Sequence, residues 1–326
     1  MADTQRLPEP IVANWEWQTT AATDPIGRPI RARWLRSLDG VRGVIELAEA
    51  SGISRLGPDE RDPLGATTRG TGEVIRAALD AGVRRITLGI GGSATSDGGA
   101  GILEALGVRF GTDGAADLSG LDPRTGDVAL RIACDVTNPL LGERGAAATY
   151  GPQKGASVDD VAVLDARLGR FADALEAATG RRERETPGSG AAGGTGFALL
   201  SLTDRFASVD LVPGVELVMD ETDLAGRLAT ADVVITGEGR IDEQTAYGKT
   251  ALGVARRAAE AGIPCIAVGG GVTREGVAAL APLGAVAVPV TERPQAVEEA
   301  MAAGADPVVR CGERIARLVS LGEGIQ

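Results

Sequence analysis

The feature that most constrains the fold is a unit of helix, strand and glycine turn that occurs twice. The segment TGEVIRAALDAG at 71–82 has the apolar spacing of an amphipathic helix, and an apolar strand at 83–90 follows it before a Gly-Gly pair. The same order returns in ALGVARRAAEAG at 251–262 and IPCIAVGG at 263–270. Strands that alternate with helices are typical of mainly parallel sheets covered on both faces. The chain is therefore predicted to be an α/β protein.

Other segments extend this pattern less regularly. Apolar runs predict further strands at 130–136, 231–239 and 284–290. A turn at Asp39-Gly40 predicts a β-hairpin within 25–50. Residues 1–24 are polar and show no clear period, and the segment RRERETPGSGAAGGTG at 181–196 is predicted to be a mobile loop.

Composition supports this class and excludes several partners. A length of 326 residues suggests about two domains. Aromatic residues make up only 3% of the chain and Gly occurs 47 times, so we expect a core of small aliphatic side chains with many tight turns. A net charge of −12 without a basic cluster disfavours nucleic acid and anionic membranes as partners. The lack of a long apolar run or a basic leader predicts a cytoplasmic protein.

The chain contains no His, which excludes a Ser-His-Asp triad, a His general base and a His-rich metal site. Proton transfer would fall to Asp, Glu, Lys or Tyr, and phosphate binding to Lys, Arg and backbone amides. The three Cys have no CxxC or zinc spacing. Cys134 and Cys265 fall in predicted strands, where small buried hydrophobic side chains are expected.

The segment IGGSATSDGGAG at 90–101 joins a predicted strand to a predicted helix. It is not a Walker A loop, and it is not a dinucleotide fingerprint because Ala94 stands where the third Gly is required. Two interpretations remain open. The Gly-Gly pair and the hydroxyl groups could bind an anion at a helix N-terminus. Alternatively, Ser96 or Asp97 caps the helix while the later glycines permit close packing.

Charged side chains follow the predicted strand at 231–239, in TGEGRIDEQTAYGK. Glu238, Arg240, Asp242 and Lys249 lie in this segment, at the carboxyl end of the strand, where ligands bind in open α/β sheets. Carboxylates suit Mg²⁺, and Arg suits a carboxylate or a phosphate. The alternative is a solvent-exposed loop held by salt bridges.

Two further segments carry weaker signals. CDVTNP at 134–139 places Asp135 at a strand end and Asn138 three residues later, as a metal ligand, a ligand contact or a turn before proline. YGPQKGA at 150–156 offers Lys154 after a Gly-Pro turn, where lysines are usually solvated.

Four of these segments together, in this order, resemble the bacterial glycerate kinase family: GIGGSATSDGGAGILEALG, ACDVTNPLLGERGAAATYGPQKGA, PGSGAAGGTG and TGEGRIDEQTAYGK. The resemblance runs from about residue 24 to about residue 320. It implies an enzyme that phosphorylates D-glycerate with ATP and Mg²⁺, with 2-phosphoglycerate favoured as the product. It leaves open whether the protein is a homodimer.

The resemblance also implies two α/β domains, one flavodoxin-like and one more irregular and mixed, with the site in the cleft between them. We expect an atypical N-terminal segment at 1–24, a mixed α/β domain with the glycine-rich loop at 25–215, and a Rossmann or flavodoxin-like domain at 216–326. These boundaries are approximate, and the domains are expected to be interleaved.

The family pattern carries over to individual positions of this chain. The implied substrate and phosphate loop comprises Gly91, Gly92, Ser93, Thr95, Ser96 and Asp97. Asp135 and Asp242 form an acidic pair for catalysis and for the metal, and one of them would accept the hydroxyl proton. Arg240 would bind the glycerate carboxylate, and Lys249 or Lys154 would help to neutralise the phosphates. The remaining binding residues are Asn138, Lys154, Glu238 and Thr245.

The chain departs from the family pattern at two places. Ser96 stands where the family usually has Asn, which shortens the reach of a hydrogen-bonding group. The opening family motifs, Asp-Ser-Phe-Lys-Gly and Ala-Asp-Gly-Gly-Glu-Gly, do not occur, so that part of the pattern is missing or replaced. Two alternatives follow: a catalytically impaired relative that binds a ligand or partner, and a nicotinamide-dependent oxidoreductase, which the failed G-x-G-x-x-G pattern disfavours.

Overall fold

The computed structural model describes residues 14–112, 114–243, 245, 250–293 and 295–323. The chain divides into two compact units, Met1–Leu217 and Val218–Gln326, which we call the first and the second unit. Each has its own hydrophobic core. In the described part of the chain, no helix combines the length and the apolar character needed to cross a membrane.

The first unit is built on a six-stranded sheet with the order β1-β2-β3-β4-β7-β8. Its strands are β1 (Trp15–Thr23), β2 (Pro29–Ser37), β3 (Arg42–Glu46), β4 (Arg85–Gly89), β7 (Ala129–Ala133) and β8 (Ser208–Val212). The pairs β1–β2 and β2–β3 are antiparallel, and the other three pairs are parallel. A separate two-stranded ribbon consists of β5 (Arg109–Phe110) and β6 (Ala116–Asp117).

Helices cover this sheet because each has a buried apolar side. They are α1 (Ala48–Ser51), α2 (Arg69–Asp80), α3 (Ala100–Ala105), α4 (Ala146–Tyr150), α5 (Val158–Thr179) and α6 (Ala191–Ser201). Val74 and Leu79 of α2 lie in one core with Leu88 of β4 and Ile132 of β7. The central strands β4 and β7 therefore contribute buried apolar side chains to the core that the helices cover.

The second unit contains a three-stranded parallel sheet with β10 in the centre. Its strands are β9 (Val234–Ile241), β10 (Cys265–Val272) and β11 (Val286–Pro289). Its helices are α8 (Leu224–Leu228), α9 (Thr250–Ala261), α10 (Arg274–Leu280), α11 (Val297–Ala302) and α12 (Asp306–Glu323), and α7 (Gly214–Glu221) crosses the sequence boundary between the units. Ile241, Ala255, Cys265 and Leu280 are buried in its core.

The α/β class and the repeated unit of helix, strand and glycine turn are confirmed. The Asp39-Gly40 hairpin is also confirmed, because β2 and β3 pair in antiparallel fashion across it and Gly40 has a φ of +74°. The prediction of an irregular segment at 1–24 is wrong for Trp15–Thr23, which form β1. This strand lies at the edge of the sheet and leaves most side chains partly exposed, so its sequence lacks a clear apolar alternation.

Candidate functional site

The glycine-rich loop leaves β4 at the carboxyl edge of the first sheet and leads into α3. It is held against the residues after α1, since Ile53 N–H donates to Gly92 O at 2.9 Å and Ala94 N–H donates to Ser51 O at 3.0 Å. Gly91 and Gly92 are exposed, and Gly92 has a φ of +70°. Within the described residues, no group accepts a hydrogen bond from either glycine amide. The tip of the loop therefore presents free backbone N–H groups.

Lys154 lies buried beneath this loop, with 2% of its surface exposed. Its Nζ donates to Ser93 Oγ at 2.8 Å and to Thr95 O at 2.5 Å. Burial lowers the pKa of Lys154 to about 8, and the Asp97 charge opposes that effect. Lys154 thus anchors the part of the loop that carries the hydroxyl groups through hydrogen bonds from a buried ammonium group, although 61 residues separate it from Ser93.

Asp97 fastens the loop to two helix N-termini. Its Oδ2 accepts hydrogen bonds from Thr68 N and Oγ1, both at 2.8 Å, and from Gly101 N at 3.2 Å. Its Oδ1 accepts from Gly99 N at 3.1 Å. The N-cap positions of α2 and α3 are Thr68 and Gly99, and the Asp97 carboxylate accepts from backbone N–H groups at the start of both helices. A direct contact between Asp97 and substrate stays a prediction.

Two hydroxyl groups of the loop are buried without a partner. Thr95 is fully buried and Ser96 is 4% exposed, and no described group hydrogen-bonds to Thr95 Oγ1 or Ser96 Oγ. A buried hydroxyl without a partner is unfavourable, which makes such a group a candidate for contact with a ligand or an ordered water. Both residues belong to the implied substrate and phosphate loop.

The segment at 181–196 is packed, so the prediction of a mobile loop is wrong. Ala192, Gly193 and Gly194 have φ values of +51°, +67° and +95°, and this left-handed run lies against the glycine-rich loop. Gly193 O accepts a hydrogen bond from Gly98 N at 2.9 Å. A Cβ atom on Gly193 would lie 2.0 Å from Thr95 O. The glycines of this segment serve close backbone contact, which glycine content alone does not distinguish from flexibility.

Asp135 and Asn138 follow β7 and hold neighbouring segments. Asp135 is exposed, and its Oδ1 accepts a hydrogen bond from Gly214 N at 2.9 Å, at the start of α7. The Asn138 Nδ2 donates to Arg144 O at 2.8 Å, and its Oδ1 accepts from the Tyr150 hydroxyl at 2.7 Å. Asn138 therefore links the segment after β7 to the residues around α4, and the predicted ligand contacts of both residues stay predictions.

The second unit gathers a polar cluster at the carboxyl end of β9. Thr245 is fully buried, and its Oγ1 donates to Glu238 Oε1 at 2.7 Å and accepts from Asp242 N at 3.1 Å. Arg240 Nε lies 3.4 Å from Asp242 Oδ2, with 68% of the Arg240 side chain exposed. The structure thus brings together four of the five residues expected here. The fifth, Lys249, lies outside the described residues.

The described carboxylates do not form a dedicated metal cage. No group of three or more Asp, Glu or Cys side chains that could hold a metal occurs in the described ranges. The predicted ligands Asp135 and Asp242 belong to different units. Mg²⁺ needs only one or two protein carboxylates when phosphate oxygens and water complete its octahedral shell.

Sequence reasoning missed a charged pocket beside the glycine-rich loop. The pocket has a volume of about 440 Å³, and we call it the β3 pocket because it lies at the end of that strand. Its lining includes Arg31, Arg33, Glu46, Ala48, Glu49 and Arg55. The available signal was Glu46, a charged residue that ends the apolar strand β3 at the same sheet edge as the loop.

Comparisons with known proteins identify the family of the chain. The chain matches the sequence model of the glycerate kinase family over residues 9–320. It is 48% identical over 268 residues to a glycerate kinase of Bacillus subtilis, covering 78% of this chain and 69% of that protein. It is 40% identical over 316 residues to glycerate 2-kinase of Escherichia coli, covering 92% and 82%.

A solved structure supports the same relationship. The crystal structure of a Salmonella typhimurium protein assigned as glycerate kinase 2 superposes with a TM-score of 0.81 at 39% identity. The match covers 97% of this chain and 86% of that one. Sequence and fold therefore agree over nearly the whole length, and this chain belongs to the glycerate kinase family.

Proposed function

We propose that the chain is a glycerate kinase that transfers the γ-phosphoryl group of MgATP to D-glycerate and forms 2-phosphoglycerate. The observation that carries the proposal is the family match over residues 9–320, which includes every site residue described above. The relatives are named glycerate kinase or glycerate 2-kinase. The choice of nucleotide, metal and hydroxyl group is our own inference.

Phosphoryl transfer depends mainly on positioning and on neutralising the charge of the phosphates. The exposed Gly91 and Gly92 amides supply hydrogen bonds that a phosphate or a carboxylate can accept. The Lys154 ammonium adds positive charge at Ser93, the next residue of the loop. With a pKa of about 8, Lys154 is mostly protonated at neutral pH. Mg²⁺ would enter with ATP and reduce the negative charge of its phosphates.

The reacting groups follow from the same chemistry. The glycerate hydroxyl oxygen bonds to the γ-phosphorus while the bond from that phosphorus to the β–γ bridging oxygen breaks and ADP leaves. The hydroxyl proton passes to a carboxylate, for which we propose Asp135 or Asp242. Arg240 is suited to a phosphate or a carboxylate because its guanidinium is largely exposed. Lys249 is proposed as a second phosphate-binding cation.

The test is turnover by the purified chain with ATP, Mg²⁺ and D-glycerate, followed by enolase, which consumes 2-phosphoglycerate directly. We expect kinase activity that Asp242→Asn, Arg240→Ala and Asp135→Asn each reduce by about a hundredfold or more. Arg84→Gln is the matched control, since Arg84 is exposed and lies just before β4 at the opposite edge of the sheet. Near-normal activity in both Asp variants would exclude them as the proton acceptor.

The test also decides between the alternatives raised by the sequence. A wild-type chain that binds D-glycerate or ATP without turnover would identify the impaired relative. Formation of 3-phosphoglycerate, seen as a product that enolase uses only after a mutase is added, would correct the proposed regiochemistry. No observation favours the oxidoreductase. The cytoplasmic location and the homodimer stay predictions.

A further inference from the structure

The β3 pocket opens directly beside the tip of the glycine-rich loop. Glu46 pairs in register with Gly89, the last residue of β4, and Leu47 N–H donates to Gly89 O at 2.8 Å. Ala48, which lines the pocket, has its Cβ 3.6 Å from the point where a Cβ on Gly92 would lie. The pocket and the free amides of the loop therefore share one end of the parallel strands, where α/β proteins bind ligands.

Two arginines of the pocket, Arg33 and Arg55, form ion pairs with Glu49. Glu49 Oε1 accepts from Arg33 Nη2 at 2.8 Å, and Glu49 Oε2 accepts from Arg55 Nη2 at 3.0 Å. Burial alone would raise the pKa of Glu49, but the hydrogen bonds and charges of Arg33 and Arg55 hold that pKa below its ordinary value. Glu49 holds both arginines in ion pairs, and the triad forms one wall of the pocket with one net positive charge.

Two other charged side chains line the pocket outside this triad, Arg31 and Glu46. Arg31 is exposed and has no ion pair with any residue that the structure describes, and the same part of the chain offers no hydrogen-bond donor to the Glu46 carboxyl group. Partial burial and the nearby Glu49 charge raise the pKa of Glu46 above its ordinary value. A pocket with one free guanidinium and one free carboxyl group suits a small ligand that carries both a negative charge and a hydrogen-bond donor.

We propose that the β3 pocket binds the phosphoryl acceptor, a short hydroxy acid, with its carboxylate on Arg31 and a hydroxyl group donating a hydrogen bond to Glu46. This inference rests on the proposed glycerate kinase activity and assigns the acceptor carboxylate to Arg31, which leaves Arg240 for a phosphate. The hydroxyl on Glu46 is the one that is not phosphorylated, so the proton of the reacting hydroxyl still passes to Asp135 or Asp242. Because Glu46 pairs in register with Gly89, the acceptor lies at the strand end from which the Gly91-Gly92 tip leaves. The pocket thereby selects a hydroxy acid over a simple polyol.

Direct binding and kinetics test the assignment separately. Binding of D-glycerate to the full chain is measured by calorimetry without nucleotide, for wild type, Arg31→Gln, Glu46→Gln and the control Arg84→Gln. We expect each pocket variant to weaken binding and to raise the KM for D-glycerate by about tenfold or more, because a charge-assisted hydrogen bond is lost. The KM for ATP stays at the wild-type value. Arg31→Lys recovers part of the binding because it keeps the charge.

Glycerol is the matched probe, since it has hydroxyl groups but no carboxylate. Wild type is expected to bind it far more weakly than D-glycerate, and Arg31→Gln is expected to leave that weak binding unchanged. An active enzyme whose D-glycerate Kd and KM are unaffected by Arg31→Gln and Glu46→Gln overturns the pocket assignment and leaves the proposed function standing.

The opposite failure is also distinguishable. An inactive wild-type chain that binds D-glycerate in an Arg31-dependent manner supports the pocket and overturns the proposed function. An inactive chain that binds no D-glycerate overturns both. Unchanged thermal unfolding of Arg31→Gln establishes that any loss of binding is local, and Glu46→Gln serves as the second, independent variant.

Discussion

Replacing Lys154 with Met removes the buried ammonium group beneath the glycine-rich loop and keeps an unbranched side chain of nearly the same length. Burial lowers the pKa of Lys154 from 10.5 to about 8. A difference of this size corresponds to a penalty of about 3 kcal/mol on the charged form in the folded protein. The hydrogen bonds to Ser93 Oγ and Thr95 O offset part of that penalty, and Met makes neither bond. At neutral pH the substitution therefore has two opposing effects on stability: it removes the burial penalty of the charge, and it removes the two hydrogen bonds.

The pH dependence separates them. Below pH 8 both the folded and the unfolded chain hold the Lys154 proton, so the penalty is fully present. Between pH 8 and 10.5 the unfolded chain still holds the proton while the folded chain has lost it, and stability therefore rises with pH. The Met variant has no such proton. From pH 7 to pH 9.5, wild type should gain about 2 kcal/mol in unfolding free energy relative to Lys154→Met.

Urea unfolding of both proteins at the two pH values measures this difference. The pKa itself is accessible by NMR, because the chain has only two lysines, Lys154 and Lys249. With lysine carrying ¹³C at Cε, Lys249→Arg leaves one side-chain signal, whose titration midpoint is expected near pH 8. A midpoint near 10.5, or a stability difference that does not change with pH, would refute the assignment of Lys154 as a buried charged support of the loop.

Two further substitutions test the packing around the candidate site. Gly193→Ala should destabilise the chain by about 2 kcal/mol or more, because its Cβ would meet Thr95 O at 2.0 Å. Gly82→Ala, also at positive φ but in open space, should cost only about 1 kcal/mol in thermal unfolding, and equal losses would contradict the steric argument. Thr245→Val should cost about 1–3 kcal/mol, since the Glu238 and Asp242 contacts of its hydroxyl are lost. Thr245→Ser keeps that hydroxyl group and should be more stable than Thr245→Val. Equal stabilities of the two variants would show that the hydrogen bonds of the hydroxyl group do not stabilise the fold.

The parts of the fold that follow from local sequence were predictable. Helix α2 and strand β4 follow from an apolar spacing that any amphipathic helix and buried strand must show. The cluster of Glu238, Arg240, Asp242 and Thr245 was also accessible, because these residues lie in the last positions of one strand, β9, or just after it. The carboxyl end of a strand is where such side chains collect.

Contacts between distant segments were not predictable. Lys154 follows a Gly-Pro turn, where lysines are usually solvated, and only the fold places its Nζ on Ser93 Oγ. The pairing of Glu49 with Arg33 and Arg55 depends on a strand and a helix that sequence periodicity does not position relative to each other. The β3 pocket was missed for that reason.

The glycine-rich loop combines two kinds of amide group, and this has a consequence for its motions. The Ala94 and Gly98 N–H groups are hydrogen-bonded to Ser51 O and Gly193 O, in a buried part of the first unit. Their hydrogen exchange should therefore require opening of the surrounding core, whereas the exposed Gly91 and Gly92 amides should exchange rapidly. A ligand that binds at the tip therefore contacts N–H donors whose positions are fixed by the hydrogen-bonded residues on either side of them. Binding therefore costs little conformational entropy of the loop, because folding has already ordered it.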